Sequence, residues 1–310
     1  MTESVLAASR RTIARGSKSF HFASRLLPRP ARHSAWLLYA WCRHCDDTID
    51  AQVFGQAPAT PRHDARRALA LLIEQTDRAL GEGPLDGPPF EALRQVARDH
   101  DLPARYVREH LRGFAMDVEG AEYAVVDDTV AYAYRVAGVV GEMMAWLMGV
   151  RDRDTLDRAA DLGIAFQLTN VARDVLDDAA VGRVYLPLIW LREEGLDGAD
   201  LARPDTRPAL ARVVARLLDE GDKYYRSAAA GIDRLGSREA WSIESARRIY
   251  REIGAEVRRR GPRAWDRRVV ITAPKKLTLV MEAARAMRPR RQAPTPLGPR
   301  VGLWPIPSLD

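Results

Sequence analysis

The segment from residue 104 to residue 186 contains no proline, and its apolar residues follow helical spacing. Val171, Val175 and Leu176 follow Leu168 at helical steps, instead of alternating with polar residues. Proline interrupts helix interiors, and a half-buried strand would show a two-residue period. The segment therefore predicts one helix after another.

The rest of the chain has the same character. Clusters of proline and glycine, which favour turns, fall at residues 28–30, 54–61, 81–89, 182–187 and 261–262. We find no two-residue alternation flanked by hairpin turns and no repeat of fixed length. The sequence predicts an all-α fold of roughly eight or more helices. We expect a single domain over residues 1–287, followed by an irregular tail rich in proline and arginine over residues 288–310.

Composition excludes several classes of protein. Apolar residues make up 46% of the 310 residues and charged residues 29%, without a biased tract, as in a globular protein with a sizeable core. The apolar stretch at residues 143–150 is far shorter than the ~20 residues of a membrane-spanning helix. Glu3 and Arg10 have no apolar run between them that would indicate a secretory signal. We therefore expect a cytoplasmic protein.

The two cysteines, Cys42 and Cys45, form a single Cys-x-x-Cys. A zinc site of this kind needs a second pair of ligands, and a thioredoxin-like site needs a βαβ context that the sequence lacks. A structural or incidental role is favoured over both.

Two acidic clusters stand out because each lies in strongly apolar sequence. Asp46, Asp47 and Asp50 form the first cluster. On a helix, Asp46 and Asp50 project from one face, one turn apart. Like charges at this spacing repel each other, so we expect a cation to offset them.

The second cluster is a stripe of oxygen ligands. Asn170, Asp174 and Asp178 are spaced i, i+4, i+8, and Gln167 lies one turn before them. Oxygen ligands without clustered cysteine or histidine select Mg²⁺ or Mn²⁺. Two such helices facing each other would hold a diphosphate between them through metal ions, which is a centre for ionising a diphosphate ester. A solvated polar face is the alternative for either cluster alone.

Neighbouring residues fit this hypothesis. Arg43, Arg173 and Arg183 lie beside the clusters and could neutralise a leaving group. The predicted helix over residues 132–149 carries a stripe that we expect to line a large apolar pocket, with plain core as the alternative: Tyr132, Tyr134, Val136, Val139, Met143 and Trp146.

The net charge of +6 is concentrated in one segment. The chain has 48 basic and 42 acidic residues, and residues 247–268 hold nine arginines against three acids, which is 9 − 3 = +6. Such a segment suits nucleic acid, anionic lipid or a phosphate-bearing substrate, or it forms a solvated helix face.

Together these motifs resemble the squalene and phytoene synthase family over nearly the whole chain. The motifs that carry the resemblance are Ser17-Lys-Ser-Phe20, the first acidic cluster, Tyr134-Arg-Val-Ala-Gly-Val-Val-Gly141, Gln167 to Asp178 with Gly182-Arg-Val-Tyr-Leu-Pro187, Arg248-Ile-Tyr250, and Arg268 with Lys275-Lys-Leu277.

The resemblance implies an isoprenoid-synthase fold with a central apolar cavity, the acidic motifs on opposing walls, and Mg²⁺ as cofactor, with Mn²⁺ as an alternative. The implied metal ligands are Asp46, Asp50, Asn170, Asp174 and Asp178. The implied catalytic residues are Asp46, Asp50, Asp174, Asp178 and Tyr250. The implied diphosphate contacts are Arg43, Gln167, Arg173, Arg183, Tyr250 and Arg268. The residues implied to line the rest of the substrate site are Ser17, Phe20, Tyr132 and Val136.

The implied reaction is head-to-head condensation of two geranylgeranyl diphosphates to phytoene in carotenoid biosynthesis. It passes through a cyclopropylcarbinyl (prephytoene) diphosphate and releases diphosphate. Family members that make thirty-carbon products carry a bulky aromatic residue where Ser24 lies here, so Ser24 favours twenty-carbon donors. The alternatives are a dehydrosqualene synthase that uses farnesyl diphosphate, and an inactive assembly subunit.

The partners implied are prenyl diphosphates, with no nicotinamide cofactor and no nucleic acid. Because the product is lipophilic, we expect peripheral association with a membrane surface, with Leu303, Trp304 and Ile306 as the candidate contact. A downstream carotenoid enzyme is a candidate partner.

Overall fold

The computed structural model describes residues 2–50, 62–287 and 297–309. Over these residues the chain forms thirteen α-helices and no strand, so the all-α prediction is confirmed. The helices are α1 (Thr2–Gly16), α2 (Lys18–Ser24), α3 (Arg29–Ile49), α4 (Arg62–Leu80), α5 (Pro88–His100), α6 (Ala104–Glu119), α7 (Val126–Ala133), α8 (Val139–Leu147), α9 (Arg153–Ala180), α10 (Leu188–Glu193), α11 (Arg207–Ile232), α12 (Ser237–Arg260) and α13 (Ala273–Ala286). A π-helical turn over Tyr134–Gly138 joins α7 to α8, and 3₁₀ turns cover Gly198–Asp200, Pro204–Thr206 and Gly261–Arg263.

Local sequence explains where the helices begin and end. Helices α3, α5 and α13 carry proline in their first turn, where its missing N–H costs nothing. Asp152 caps α9 by accepting a hydrogen bond from the backbone N–H of Thr155 at 3.0 Å. Gly120 ends α6 in the left-handed region, with φ 71°. The predicted breaks coincide with helix junctions, except for residues 54–61, which lie outside the described residues.

Helix α9 is the central element. Its 28 residues make it about 42 Å long. It packs against α8, α11 and α12, and Ile164 and Leu168 on it are fully buried. Because both of its sides are covered, its buried positions run around the helix instead of following one stripe.

The contact between α9 and the α7–α8 segment is unusually close. A Cβ on Gly163 of α9 would lie 2.1 Å from the carbonyl oxygen of Ala137, and a Cβ on Gly141 would lie 2.2 Å from that of Ala159. No side chain fits at either position, so glycine is required for the two backbones to meet. Packing thus explains Gly141, the last residue of the Tyr134–Gly141 motif, and Gly163, which lies outside the sequence motifs.

The predicted helix over residues 132–149 is interrupted by the π-helical turn. Such a turn accommodates one extra residue, which rotates every later position by about 100° around the helix. Tyr132 and Val136 line the cavity as expected, but beyond the turn Val140 and Met144 line it in place of the predicted positions.

The prediction was therefore wrong for the other members of that stripe. Val139 and Met143 are fully buried in the core. Tyr134 packs on the ring of Trp304 at a centroid distance of 5.5 Å, and the indole of Trp146 donates to the carbonyl oxygen of His100 at 3.0 Å. The prediction assumed a regular helix, and this assumption cannot show that the π-helical turn rotates the later residues to another face.

The C-terminal segment over residues 297–309 has no helix and packs on the helical body. Arg300 forms an ion pair with the buried Asp161 of α9. Leu303, Trp304 and Ile306 are half-buried and pack against the core, and their contact with a membrane stays a prediction. The domain boundary at residue 287 stays a prediction. None of the helices in residues 2–50, 62–287 and 297–309 combines the length and apolar character that a bilayer crossing requires.

Candidate active site

A cavity of about 800 Å³ runs along one face of α9. Residues of α9 line it from Thr155 to Asp178 at three- and four-residue steps, a span of about 35 Å at 1.5 Å per residue. The remaining wall comes from the end of α1, from α2, α3 and α6, from the α7–α8 segment and the segment after α9, and from α11, α12 and the residues around the start of α13. Charged side chains gather at the C-terminal end of α9, and Val140, Met144 and Leu162 line its N-terminal half.

Every site residue predicted from the sequence borders this one cavity. They are Ser17, Phe20, Arg43, Asp46, Asp50, Tyr132, Val136, Gln167, Asn170, Arg173, Asp174, Asp178, Arg183, Tyr250 and Arg268. Residues that are 251 positions apart in the chain thus meet at one surface. Their individual roles in metal binding and catalysis stay predictions.

The first acidic motif lies at the end of α3. The Arg43 guanidinium pairs with Asp46 and with Asp47, each at 2.7 Å, and supplies the offsetting cation that the sequence predicted. The Asp46 side chain is 45% exposed, and it borders the cavity. Removal from bulk water and the neighbouring charge of Asp50 raise the pKa of Asp46 to about 7, although Arg43 opposes the shift. Negatively charged side chains therefore lie close together at this site.

The second acidic motif lies near the C-terminal end of α9. Arg173 Nε donates to Asp174 Oδ1 at 2.8 Å, and Arg268 Nη2 donates to Asp174 Oδ2 at 2.8 Å. Burial, reinforced by the charge of Asp174, raises the pKa of Asp178 well above its ordinary value. A bound cation at Asp178 would relieve this penalty.

One ion pair joins the two motifs. Arg183 follows the end of α9 and pairs with Asp50, the residue that follows α3. Because this guanidinium reaches across, the two acidic motifs face each other at the same end of the cavity. The carboxylates and arginines together form a charged chamber that opens into the apolar half.

Sequence reasoning missed a half-buried acid in this chamber. Asp117 on α6 accepts hydrogen bonds from the hydroxyls of Tyr132, at 2.9 Å, and Tyr185, at 2.8 Å. The two rings stack at a centroid distance of 4.6 Å. Burial raises the pKa of Asp117 to about 6. The one available signal was a lone acid between Phe114 and Val118 on the apolar face of α6.

Aromatic rings form part of the cavity wall. Phe166 of α9 stacks on Tyr250 of α12 at a centroid distance of 4.1 Å. The Ser17 hydroxyl accepts from the backbone N–H of Phe20 at 3.2 Å, so Ser17 both caps α2 and borders the cavity.

Ser24 is buried and is not a wall residue of the cavity. Its hydroxyl accepts from the Trp36 indole at 3.0 Å and donates to the carbonyl oxygen of His21 at 2.9 Å. Its link to chain length stays a prediction.

The model of the squalene/phytoene synthase family matches residues 13–275 of the chain. The chain belongs to the squalene/phytoene synthase family. Among similar family members, the 15-cis-phytoene synthase of Pantoea ananas is 49% identical over 92% of this chain and 93% of its own length. The 15-cis-phytoene synthase of a Paracoccus species is 45% identical over 99% of both chains.

Solved structures agree with this membership in the squalene/phytoene synthase family. A dehydrosqualene synthase in complex with a ligand superposes with a TM-score of 0.81 at 26% identity, covering 92% of this chain and 96% of its own. The squalene synthase HpnC from Alicyclobacillus acidocaldarius has the same fold, with a TM-score of 0.71 at 23% identity over 83% of this chain and 94% of its own. The predicted family and fold are confirmed.

The charged chamber of this squalene/phytoene synthase suits a metal that is shared with a ligand. In the described part of the chain, no three acidic, histidine or cysteine side chains stand together as a ready-made metal site. The chamber walls nevertheless carry carboxylate and amide oxygens, the donors that Mg²⁺ prefers. Mg²⁺ is commonly held by one or two carboxylates, waters and substrate phosphates. The donor set therefore fits a metal bound together with a diphosphate.

The cysteines take no visible part in this chemistry. Cys45 is fully buried, and Cys42 borders the cavity. Burial raises the pKa of both thiols, which disfavours the reactive thiolate. The structural interpretation is thereby favoured.

Most of the positive charge in the basic segment over residues 247–268 is neutralised by nearby acidic side chains. Six of its arginines pair with acids of α11, α12 or α13: Arg247, Arg248, Arg251, Arg258, Arg259 and Arg260. Among the nine arginines of this described segment, Arg268 alone borders the cavity. Most of the segment is therefore a solvated face, and one member belongs to the site.

Proposed function

We propose that this chain is a phytoene synthase, which joins two geranylgeranyl diphosphates head to head and releases both diphosphates. The observation that carries the proposal is the charged chamber, where both acidic motifs and their arginines lie at one end of a long apolar cavity. Relatives named 15-cis-phytoene synthase at 45–49% identity support the choice of substrate.

We propose Mg²⁺ as the cofactor, with Mn²⁺ as an alternative and no nicotinamide. The residues that would hold it are Asp46, Asp50, Asn170, Asp174 and Asp178. When bound, the metal supplies positive charge that stabilises a departing diphosphate. The positions of these five side chains would determine where the charge of the metal lies.

The arginines would change partners when substrate binds. In the free protein Arg43, Arg183 and Arg268 pair with Asp46, Asp50 and Asp174 respectively. With those carboxylates holding a metal, the guanidiniums would be free to donate hydrogen bonds to diphosphate oxygens. The planar, permanently charged guanidinium suits this role because it can form paired hydrogen bonds.

The apolar half would protect the cations that form during the reaction. One donor loses diphosphate, and the 2,3-alkene of the second donor attacks the resulting allylic cation. Proton loss gives prephytoene diphosphate, and a second ionisation, rearrangement and proton loss give the conjugated triene. Ring faces such as those of Phe166 and Tyr250 attract cations, and the apolar wall excludes water. The departing diphosphate is the proposed proton acceptor.

The second candidate is dehydrosqualene synthesis from farnesyl diphosphate. The structural match to a dehydrosqualene synthase favours it, since the two reactions differ only in donor length. An inactive assembly subunit is disfavoured, because such a protein has no need for both sets of carboxylates at one chamber.

Product analysis by mass tests the proposal. Purified protein is incubated with Mg²⁺ and without nicotinamide, with geranylgeranyl diphosphate, farnesyl diphosphate, or both. A forty-carbon hydrocarbon that disappears in Asp46→Asn and persists in Asp219→Asn supports the phytoene assignment. Asp219 is a matched control because it pairs with Arg258 at the surface.

Other products give different conclusions. A thirty-carbon product alone would select the farnesyl donor and overturn the Ser24 argument. No hydrocarbon from either donor, with a folded protein that binds metal, would favour the assembly subunit.

We also propose that the protein works at a membrane surface, since its product is a hydrocarbon. The downstream carotenoid enzyme stays a candidate partner.

A further inference from the structure

Arg158 is a charged residue at the apolar end of the cavity. Among the residues of α9, a helix that the structure describes throughout, it alone carries a charge in the N-terminal half of the cavity wall. Only 7% of its surface is exposed. Arg158 precedes Asn170 of the charged chamber by twelve positions, about 18 Å along the helix axis. An extended prenyl chain of four isoprene units covers a similar length, so a chain that starts in the chamber would end near Arg158.

Hydrogen bonds turn the guanidinium of Arg158 away from the cavity. It donates to the hydroxyl of Ser227 on α11 and to the carbonyl oxygen of Gly298 in the C-terminal segment. Neither Ser227 nor Gly298 borders the cavity. Arginine can cover an apolar surface with its aliphatic stem while its charged head binds elsewhere. The stem of Arg158 therefore lines the cavity, and its charged head lies outside it.

The partners of this guanidinium are themselves held in place. Arg300 of the C-terminal segment donates twice to the carboxylate of Asp161, from Nε to Oδ2 at 3.0 Å and from Nη2 to Oδ1 at 2.5 Å. Asp161 is fully buried and also accepts from the hydroxyl of Ser227. A paired contact of this kind fixes geometry as well as contributing energy. One buried carboxylate thus orders both partners of Arg158, so the position of its stem is fixed from outside the cavity.

Helix α11 approaches Arg158 without an intervening side chain. A Cβ on Gly231 would lie 2.3 Å from the Cβ of Arg158 and 3.0 Å from its Cγ. Gly231 also borders the cavity. Because the backbone of α11 meets the stem directly, the stem cannot move towards α11 to make room for a longer ligand.

We propose that Arg158 forms the end wall of the cavity and limits the length of the prenyl chain that the cavity accepts. A longer chain would have to displace the stem, which would break the hydrogen bonds to Ser227 and Gly298. A buried donor or acceptor that loses its partner carries a large penalty. The inference rests on the proposed function, because it assumes that the diphosphate lies in the charged chamber and the prenyl chain in the apolar half.

Binding of substrate analogues tests the end wall without turnover. The ligands are prenyl thiodiphosphates of fifteen, twenty and twenty-five carbons, in which sulfur replaces the ester oxygen and slows ionisation. Their affinities for the full-length protein are measured by calorimetry with Mg²⁺. The test variants are Arg158→Ala and the milder Arg158→Gln, which keeps part of the stem and an amide donor.

The matched control is Arg94→Ala. Arg94 also holds a turn through backbone carbonyl oxygens, those of Arg78 and Gly83 at 2.6 Å each, but it does not border the cavity. This variant therefore shows what the loss of such an arginine does to the protein when the cavity wall is unchanged.

We expect the wild-type protein to bind the twenty-five-carbon analogue at least about tenfold more weakly than the twenty-carbon one. In Arg158→Ala the two affinities should become about equal, since even one methylene group in an apolar pocket changes discrimination by about tenfold or more. Arg158→Gln should give an intermediate ratio. The fifteen-carbon analogue ends short of the wall, so its affinity should not change. Arg94→Ala should keep the wild-type ratio, even where its thermal stability falls.

Any of four results would overturn the proposal. They are equal affinity of the wild-type protein for the two longer analogues, an unchanged ratio in the Arg158 variants, an equal change in Arg94→Ala, and an equal loss of affinity for all three analogues. Arg158→Gln decides the test if Arg158→Ala does not fold. A protein that binds the analogues in the expected order but makes no hydrocarbon would contradict the proposed catalysis and leave the end wall supported.

Discussion

At the C-terminal end of α9 the cavity wall consists of paired charges, whereas along the N-terminal half it consists of apolar side chains such as Val140 and Met144, carried by helices whose backbones are in direct contact. In the charged chamber, Arg183 reaches Asp50 and Arg268 reaches Asp174. In the other half, a Cβ on Gly163 would nearly touch the carbonyl oxygen of Ala137. The carboxylates of the chamber repel one another, which lowers the stability of the fold until a cationic ligand binds. Close packing in the other half stabilises the fold. Substitutions in the two halves should therefore separate activity from stability.

The largest effect is expected from Asp178→Asn. The raised pKa means that the folded protein disfavours the ionised carboxylate, so a neutral amide of the same shape should leave the free energy of unfolding unchanged or higher in chelator. Turnover should fall at least about a hundredfold, because the variant would lose a proposed ligand of the metal whose positive charge would stabilise the departing diphosphate. Product quantification and thermal unfolding measure the two effects.

The exposed Asp219→Asn is the control for Asp178→Asn, and it should change neither quantity. Near-normal turnover in Asp178→Asn, or a large loss of stability, would remove the distinction between the two halves.

Gly163→Ala should have the opposite effect: a large loss of stability and a smaller loss of turnover. The new methyl group would lie 2.1 Å from a backbone oxygen that cannot move alone, so we expect a loss of about 1–3 kcal/mol in the free energy of unfolding. Turnover of the protein that remains folded should fall less than in Asp178→Asn. Urea denaturation measures the change.

The matched control for Gly163→Ala is Gly221→Ala on α11. There a Cβ meets Leu168 at an ordinary 3.7 Å, so alanine should stabilise the helix by about 0.5–1 kcal/mol. Equal effects of the two substitutions would show that helix propensity, and not the close backbone contact, governs Gly163.

The charged chamber could be predicted from the sequence better than the apolar half. The four-residue spacing alone predicts that Asp46 and Asp50 lie on one helix face, and that Asp174 and Asp178 do so as well. The prediction holds because the helices are regular at these positions. The stripe from Tyr132 to Trp146 failed because a π-helical turn changes the phase of the helix, and no residue type marks it.

Contacts between distant segments were also beyond sequence reasoning. Asp117 has no motif of its own, and its role depends on Tyr132 and Tyr185, which come from other elements. Likewise, spacing cannot tell that Arg251 and Arg258 of α12 find acids on α11, whereas Arg268 reaches Asp174 on α9. The pairing of charges across helices is set by how the helices pack.

Glu142 is a carboxylate buried in the apolar half, so it tests whether a charged group there affects stability and not activity. It accepts from the Tyr134 hydroxyl at 3.0 Å and pairs with Arg153 at 3.2 Å. Burial raises its pKa from 4.5 to about 7. Between these values the folded protein holds a proton that the unfolded chain has lost, so stability falls as pH rises, by at most about 1.4 kcal/mol per pH unit.

Glu142→Gln should remove this contribution. The stability of the variant relative to wild type should increase between pH 5 and pH 7, as measured by urea denaturation along a pH series. A constant difference across the series would mean that Glu142 keeps the same protonation state in the folded and unfolded protein.

The smallest effect is expected from Asp117→Asn, in the charged chamber. The amide keeps one acceptor but turns a donor towards a tyrosine hydroxyl, so one hydrogen bond worth about 1 kcal/mol is lost. Because Asp117 orients Tyr132 at the chamber, kcat should fall about fivefold with little change in KM. Tyr185→Phe removes the other hydrogen bond and leaves that of Tyr132, so it should lower stability by a similar amount and kcat by less. Equal loss of kcat in both variants would mean that Asp117 supports the chamber as a whole instead of positioning Tyr132.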